Sequence, residues 1–119
     1  MNDEPRHEQL LRRFQHCDGV LAAVVLTGPW NVRQGDDLKA RALAEESASM
    51  ALRLGVKTMD VIVPKQIRVL VLAHPDATLA VAIVQGHPIA KSIKRMVHRG
   101  LQAVYGEAPK PTPPQETSP

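Results

Sequence analysis

The chain has very few aromatic side chains: Phe14, Trp30 and Tyr105 make up 3% of its 119 residues. Any hydrophobic core must therefore consist of Val, Leu, Ile, Ala and Met side chains. Three scattered aromatics cannot form the stacking platform on which many proteins bind single-stranded RNA. Their scarcity argues against specific nucleic-acid recognition, even though the formal net charge is +3.

Cysteine and long apolar runs are also scarce. The single thiol, Cys17, excludes an internal disulfide and a cysteine-based zinc site, and a cytoplasmic location is expected. No apolar run reaches the roughly 18 residues of a membrane-spanning helix, so no transmembrane segment is expected. The acidic residues 1–5 lack the basic-then-apolar order of a signal peptide.

The positive charge is concentrated in one part of the chain. Residues 87–106 carry Lys91, Lys94, Arg95 and Arg99 and no acid, whereas every other stretch is close to neutral. This distribution predicts one basic face on one element, rather than a protein that is basic throughout.

The segment 107–119 differs in composition from the rest of the chain. Five of its thirteen residues are proline, which excludes a helix. The composition predicts a disordered or polyproline-like tail, either a solubilising segment or a ligand for an SH3-type domain. Residues 1–106 are expected to form one domain.

Hydrophobic periodicity and turn residues predict eight elements in residues 1–106. An amphipathic helix at 6–17 precedes the turn pair Asp18-Gly19, and Asp36 or Asp37 caps a second helix. The predicted helices are 6–17, 37–54 and 88–104, and the predicted strands are 20–26, 30–33, 58–63, 67–73 and 79–84.

The order of these elements predicts the fold class. Short turns join consecutive strands, so the sheet is mostly antiparallel. The strands at 20–26, 67–73 and 79–84 are apolar on both faces, which requires helices on both sides of the sheet. We therefore expect an α/β/α sandwich of three layers, in the α+β class, with a five-stranded sheet.

The helix at 37–54 and the strand at 58–63 are candidates for a homodimer interface. Pro64 ends the strand, as is typical of a sheet edge, and an edge leaves backbone groups unpaired. A ridge of small residues on the helix could pack on its own copy or, alternatively, on the sheet of its own chain; a second ridge holds Leu43, Ser47, Met50 and Leu54. The interface residues proposed from the sequence are Ala44, Ser47, Ala48, Ala51, Thr58, Asp60 and Ile62.

The exposed side of the last predicted helix is the second candidate surface. It could meet an acidic partner, an anionic lipid surface or phosphate, or it could be a solvated face without a partner. Recognition of a DNA major groove is not expected, because no helix-turn-helix precedes it. The residues of this basic face are Lys91, Lys94, Arg95, His98 and Arg99.

No pattern in the sequence indicates catalysis, a cofactor or a metal site. The five histidines include no His-Glu-x-x-His motif, and Gly86-His87-Pro88 lacks the spacing of a phosphate-binding loop. His16 and Cys17 are adjacent, so they would point apart on a helix and could not act as a base and nucleophile. We therefore expect a non-enzymatic protein.

The order of elements resembles that of the Roadblock/dynein light chain family over about 90 of the 119 residues. The resemblance is carried by Asp18-Gly19 with the Val-rich strand after it, by the Ala-rich helix at 37–54, by the strands between 58 and 84, and by the final helix. One departure is Thr27-Gly28-Pro29-Trp30, where family members usually have an Asp-Gly turn. The resemblance implies a homodimer built on the second helix and the adjacent edge strand. It also implies binding to a small Ras-like GTPase, as in bacterial gliding-motility regulators, or an adaptor role.

The alternative is a small sensory, ligand-binding or membrane-associated adaptor module of profilin- or longin-like shape. A ligand-binding module of this kind needs a cavity with polar groups. The inward positions of the buried strands are instead Val, Leu, Ile and Ala.

Overall fold

The computed structural model describes residues 5–28 and 30–106, with Trp30 described for its backbone alone. The proline-rich segment 107–119 lies outside the described residues. The helices are α1 (Arg6–Arg12), α2 (Leu38–Leu54) and α3 (Ala90–Tyr105). The strands are β1 (Val20–Thr27), β2 (Trp30–Gln34), β3 (Thr58–Val63), β4 (Ile67–His74) and β5 (Ala77–Val84).

The five strands form one antiparallel sheet in the order β2-β1-β5-β4-β3. The strands predicted to be buried on both faces, β1, β4 and β5, occupy the centre. The strand that ends at Pro64, β3, lies at an edge, as predicted. Short hairpins join β1 to β2, β3 to β4 and β4 to β5. The pairing of β1 with β5 joins the first hairpin to the three strands that follow α2.

Two apolar layers hold the helices on opposite faces of the sheet. On one face α2 packs through alanines on β1, β4 and β5. On the other face α1 and α3 pack side by side, with Phe14, Leu10 and Ile93 fully or almost fully buried. This is the expected α/β/α sandwich. Because successive strand residues point to opposite sides of the sheet, the apolar central strands have two apolar faces, and a helix layer covers each of them.

The two helices of the second layer approach each other closely at Gly100. A Cβ atom at this position would lie 3.2 Å from Leu10 Cδ1 and 3.5 Å from Phe14 Cε2. The missing side chain therefore leaves room for the apolar face of α1. Within the described residues, no helix has the length and hydropathy needed to cross a bilayer.

The ends of the helices refine the sequence prediction. Asp37 caps α2 by accepting the Ala40 amide at 3.0 Å, and Gly55 ends it in the left-handed region. By contrast α1 ends at Arg12, so Cys17 lies outside it, and His16 has a φ of 64° in the turn that follows. The last helix begins at Ala90 rather than at Pro88, because turns at 85–86 and 88–89 precede it.

Candidate interaction surfaces

The alanine ridge of α2 faces the sheet of its own chain. Ala44, Ala48 and Ala51 are fully buried against β1, β4 and β5, and Ser47 is 4% exposed. Ser47 donates its hydroxyl to the Leu43 carbonyl at 2.7 Å. The interpretation of this ridge as a subunit contact is therefore wrong, and the alternative of packing within one chain is correct. Small side chains on this face let the helix axis lie close to the sheet.

The two flanks of α2 beside this ridge differ in chemistry. The flank nearer β2 is held by charge: Arg33 donates to Glu45 through two hydrogen bonds of 2.6 and 2.7 Å. The flank nearer β3 is open and carries two exposed apolar side chains: Met50 is 45% exposed and Leu54 is 64% exposed. Lys39 shows that this flank faces β3, because its ammonium donates to the Gln66 side chain in the β3–β4 turn at 2.9 Å.

The edge strand β3 continues this open surface. Met59, Val61 and Val63 lie half-buried beside α2, whereas Thr58, Asp60 and Ile62 point to the opposite face and are exposed. Among the described residues no strand pairs with the outer edge of β3. The structure thus places an apolar helix flank next to a row of unpaired backbone groups.

On the face of the sheet that carries α3, a bidentate ion pair joins β3 to β4. Arg68 donates to Asp60 at 3.0 and 2.7 Å. The Arg68 guanidinium is the main cause that holds the pKa of Asp60 below its ordinary value, Lys94 contributes a further positive charge, and partial burial opposes both. This pair fixes the register of the edge strand by a contact that bridges the two strands.

A groove of about 310 Å³ runs between this ion pair and α3. It exists because α3 packs on β4 and β5 but leaves β3 uncovered. Its floor is apolar, with Leu70, Leu72 and Val97, while its rim combines residues from both predicted surfaces. The rim residues that the fold brings together are Thr58, Asp60, Lys94 and His98.

All five residues of the predicted basic face are exposed along α3. Val97 and Ile93, on the other side of the helix, are buried in the core. None of the four Lys and Arg side chains forms an ion pair with a described residue. Elsewhere Arg33, Lys39 and Arg68 are each tied to a side-chain partner. The residues of the face are Lys91, Lys94, Arg95, His98 and Arg99.

Two of the histidines serve the backbone. His74 accepts the Asp76 amide at Nδ1, so its proton lies on Nε2, which donates to the Gly106 carbonyl at 3.0 Å. His87 similarly accepts the Ile89 amide at Nδ1 and lies 3.2 Å from Asp18. In the part of the chain that the structure describes, no group of three or more His, Cys, Asp and Glu side chains could hold a metal ion.

The arrangement of three helices around this sheet matches two solved structures. A Roadblock/LC7 domain from Streptomyces avermitilis aligns over 81% of this chain and 92% of its own, with 19% identity and a TM-score of 0.58. The chain has the Roadblock fold. Myxococcus xanthus MglB aligns over 95% of this chain and 98% of its own, with 10% identity and a TM-score of 0.53. No family model and no curated protein matches the sequence.

The Roadblock fold confirms the resemblance at the level of architecture. Two features of the surfaces were missed in the sequence. The sequence showed the ridge with Met50 and Leu54, but the spacing of its residues did not indicate that the alanine ridge would pack on the sheet and leave this one exposed. The groove has no local signal, because it depends on how far α3 lies from β3.

The Asp60–Arg68 pair makes a testable contribution to stability. Because the pKa of Asp60 is lowered in the folded state, its contribution is present above the unfolded value near 4 and is lost as the pH falls through the folded pKa. We expect Arg68→Gln to cost about 0.5–1 kcal/mol at pH 7, since the pair is partly exposed, and measurably less at pH 2.5. Urea unfolding at both pH values measures this difference.

The exposed Arg53 offers the control, because it forms no ion pair with a described residue. Arg53→Gln should change the free energy of unfolding by a small amount that does not depend on pH. A cost of Arg68→Gln that stays constant from pH 7 to pH 2.5 would contradict the role given to the carboxylate.

Proposed function

We propose that this protein is a homodimeric, non-enzymatic regulator or scaffold that binds a small Ras-like GTPase in the cytoplasm, in a GTPase-activating or adaptor role. The observation that carries the proposal is the open edge of β3 next to the exposed apolar flank of α2. The Roadblock fold adds support, since the resemblance to that family implies both the dimer and the GTPase.

In the proposed dimer, a two-fold axis normal to the sheet pairs β3 antiparallel to its own copy. The same axis brings the two copies of α2 together on one face, because antiparallel neighbours related in this way keep their faces on the same side. Met50 and Leu54 then lose contact with water, and the unpaired edge of β3 gains partners. The alanine ridge stays in the core of each subunit.

The structure offers a matched pair of variants for the dimer. We expect the double variant Met50→Arg/Leu54→Arg to be monomeric, because two like charges from each subunit would meet in the interface. Leu52→Arg, on the opposite flank with Leu52 53% exposed, should remain dimeric. Light scattering should give 26 kDa, twice the 13.0 kDa chain mass, for the wild type and Leu52→Arg.

The proposed interface predicts different outcomes for its two flanks. A wild type that is monomeric at micromolar concentration would refute the dimer. If Leu52→Arg were monomeric and Met50→Arg/Leu54→Arg still dimeric, the subunit contact would lie on the flank of α2 that holds Leu52, and the proposed interface would be refuted. Thermal melts of each variant separate loss of association from loss of fold.

Binding to a GTPase needs a separate experiment. Immobilised protein is incubated with lysate of the native cell in the presence of either GDP or a non-hydrolysable GTP analogue, and captured proteins are identified by mass spectrometry. We expect to capture a Ras-like GTPase, and we expect the captured amount to differ between GDP and the GTP analogue. Hydrolysis assays with the purified pair then distinguish an activator from an adaptor, while recovery of nucleic acid alone would overturn the proposal.

A further inference from the structure

We propose that the basic face of α3 is a docking surface for anionic lipid headgroups, which places the protein on a membrane surface. The face consists of Lys91, Lys94, Arg95, His98 and Arg99, all of which are exposed. The proposal depends neither on the GTPase nor on the dimer, because the whole surface lies within one chain.

The first argument is the arrangement of the charges. Lys91, Lys94/Arg95 and His98/Arg99 recur every three or four residues, so they form one line of about 12 Å along the helix. The core contacts of Ile93 and Val97 fix the opposite side of the helix against the sheet. The cations are therefore held outward as a set, and α3 contains no acidic residue that could neutralise them.

The second argument concerns what else covers this face. Lys94 interacts electrostatically with Asp60, but that carboxylate is already engaged by the two hydrogen bonds from Arg68. Beside α3, α1 contributes Glu8 together with arginines, so this neighbour does not reverse the sign of the surface. The charge of α3 thus remains available to an external anion.

The third argument selects lipid over other polyanions. Protein interfaces usually have an apolar centre, yet none of the large exposed apolar side chains lies on α1 or α3, and only Lys94 and His98 of the five basic-face residues border the apolar floor of the groove. A single-stranded nucleic acid is bound by aromatic stacking, but Phe14 is buried in this layer and Tyr105 is half-buried at its end. A row of cations along α3, whose outer side carries no large exposed apolar side chain, fits a plane of headgroups, where each Lys or Arg adds about 1 kcal/mol of attraction.

The orientation of this face agrees with the proposed dimer, and this step alone rests on that proposal. The two-fold axis normal to the sheet would put both copies of α3 on the same side and both copies of α2 on the other. Two basic faces would then meet one membrane together, and the α2 side would remain free for a protein partner.

The test uses vesicles of phosphatidylcholine with 30% phosphatidylglycerol, compared with pure phosphatidylcholine, in co-sedimentation with the full chain. We expect binding to the anionic vesicles alone, and its loss in 0.5 M NaCl because salt shortens the Debye length to about 4 Å and screens the attraction. Arg95→Gln/Arg99→Gln should weaken binding by about 25-fold, from about fivefold for each cation. Lys91→Gln/Lys94→Gln should have a similar effect.

The matched control, Lys39→Gln/Arg53→Gln, removes two cations from α2 on the opposite face of the sheet. It should bind within about twofold of the wild type, since these charges lie far from the membrane. Absence of binding to anionic vesicles at low salt would overturn the proposal, as would an equal loss in the α2 and α3 variants. Tighter binding to a single-stranded RNA than to the vesicles would assign the face to nucleic acid instead. Light scattering on the same protein preparations, without vesicles, reports the dimer independently.

Discussion

Ala48→Arg is expected to prevent folding rather than to dissociate a dimer. Ala48 is fully buried between α2 and the central strands, so a guanidinium there would need both space and a partner that the core does not provide. Overpacking and an unpaired buried charge together should cost about 4 kcal/mol or more, a large part of the roughly 5–15 kcal/mol that stabilises a typical domain. Urea unfolding and circular dichroism measure this loss directly.

Ala42→Arg is the matched control for this substitution. Ala42 lies on the same helix and is exposed, so the same new side chain should change the free energy of unfolding by about 0.5 kcal/mol or less. If Ala48→Arg were as stable as Ala42→Arg, the small ridge would have to point away from the sheet. The comparison therefore tests the packing of α2 apart from the state of association.

The two ridges of α2 show why the site was harder to predict than the fold. Short apolar runs bounded by turn residues, Asp37 and Gly55 are local signals, and they predicted the strands and the ends of the second helix well. The choice between the alanine ridge and the ridge with Met50 and Leu54 is not local, because both are apolar. It depends on the distance between the helix and the sheet, and the close approach that the sheet allows favours the alanines.

The same reasoning applies to the helices of the other layer. The apolar spacing predicted α3 and its exposed basic face, because a single element determines both. The groove beside α3 depends on how many strands α1 and α3 together can cover. Their close contact at Gly100 holds α3 near α1 and so leaves β3 uncovered. The turn at His16, which shortens α1, likewise lacks the glycine that usually marks a positive φ.

Gly35→Ala is expected to be among the most destabilising substitutions by a single methyl group. Gly35 follows β2 with a φ of +116°, where the chain leaves the sheet edge and turns toward the cap of α2. A Cβ atom would lie 2.4 Å from the Leu21 carbonyl oxygen and 2.9 Å from Ala22 Cα. Both atoms belong to the backbone of central strand β1, so they cannot move aside as a flexible side chain would.

The expected cost of Gly35→Ala is roughly 3–4 kcal/mol, combining the strained φ with the displacement of β1 or β2. Gly55→Ala separates these two contributions, because Gly55 also has a positive φ, 69°, but nothing lies within 4 Å of its added Cβ. It should cost roughly 1–2 kcal/mol from the left-handed conformation alone. Urea unfolding of both variants gives the difference, which measures the clash with Leu21. Equal costs would mean that the chain can leave β2 by another path, and that the close approach of Gly35 to β1 is not required by the fold.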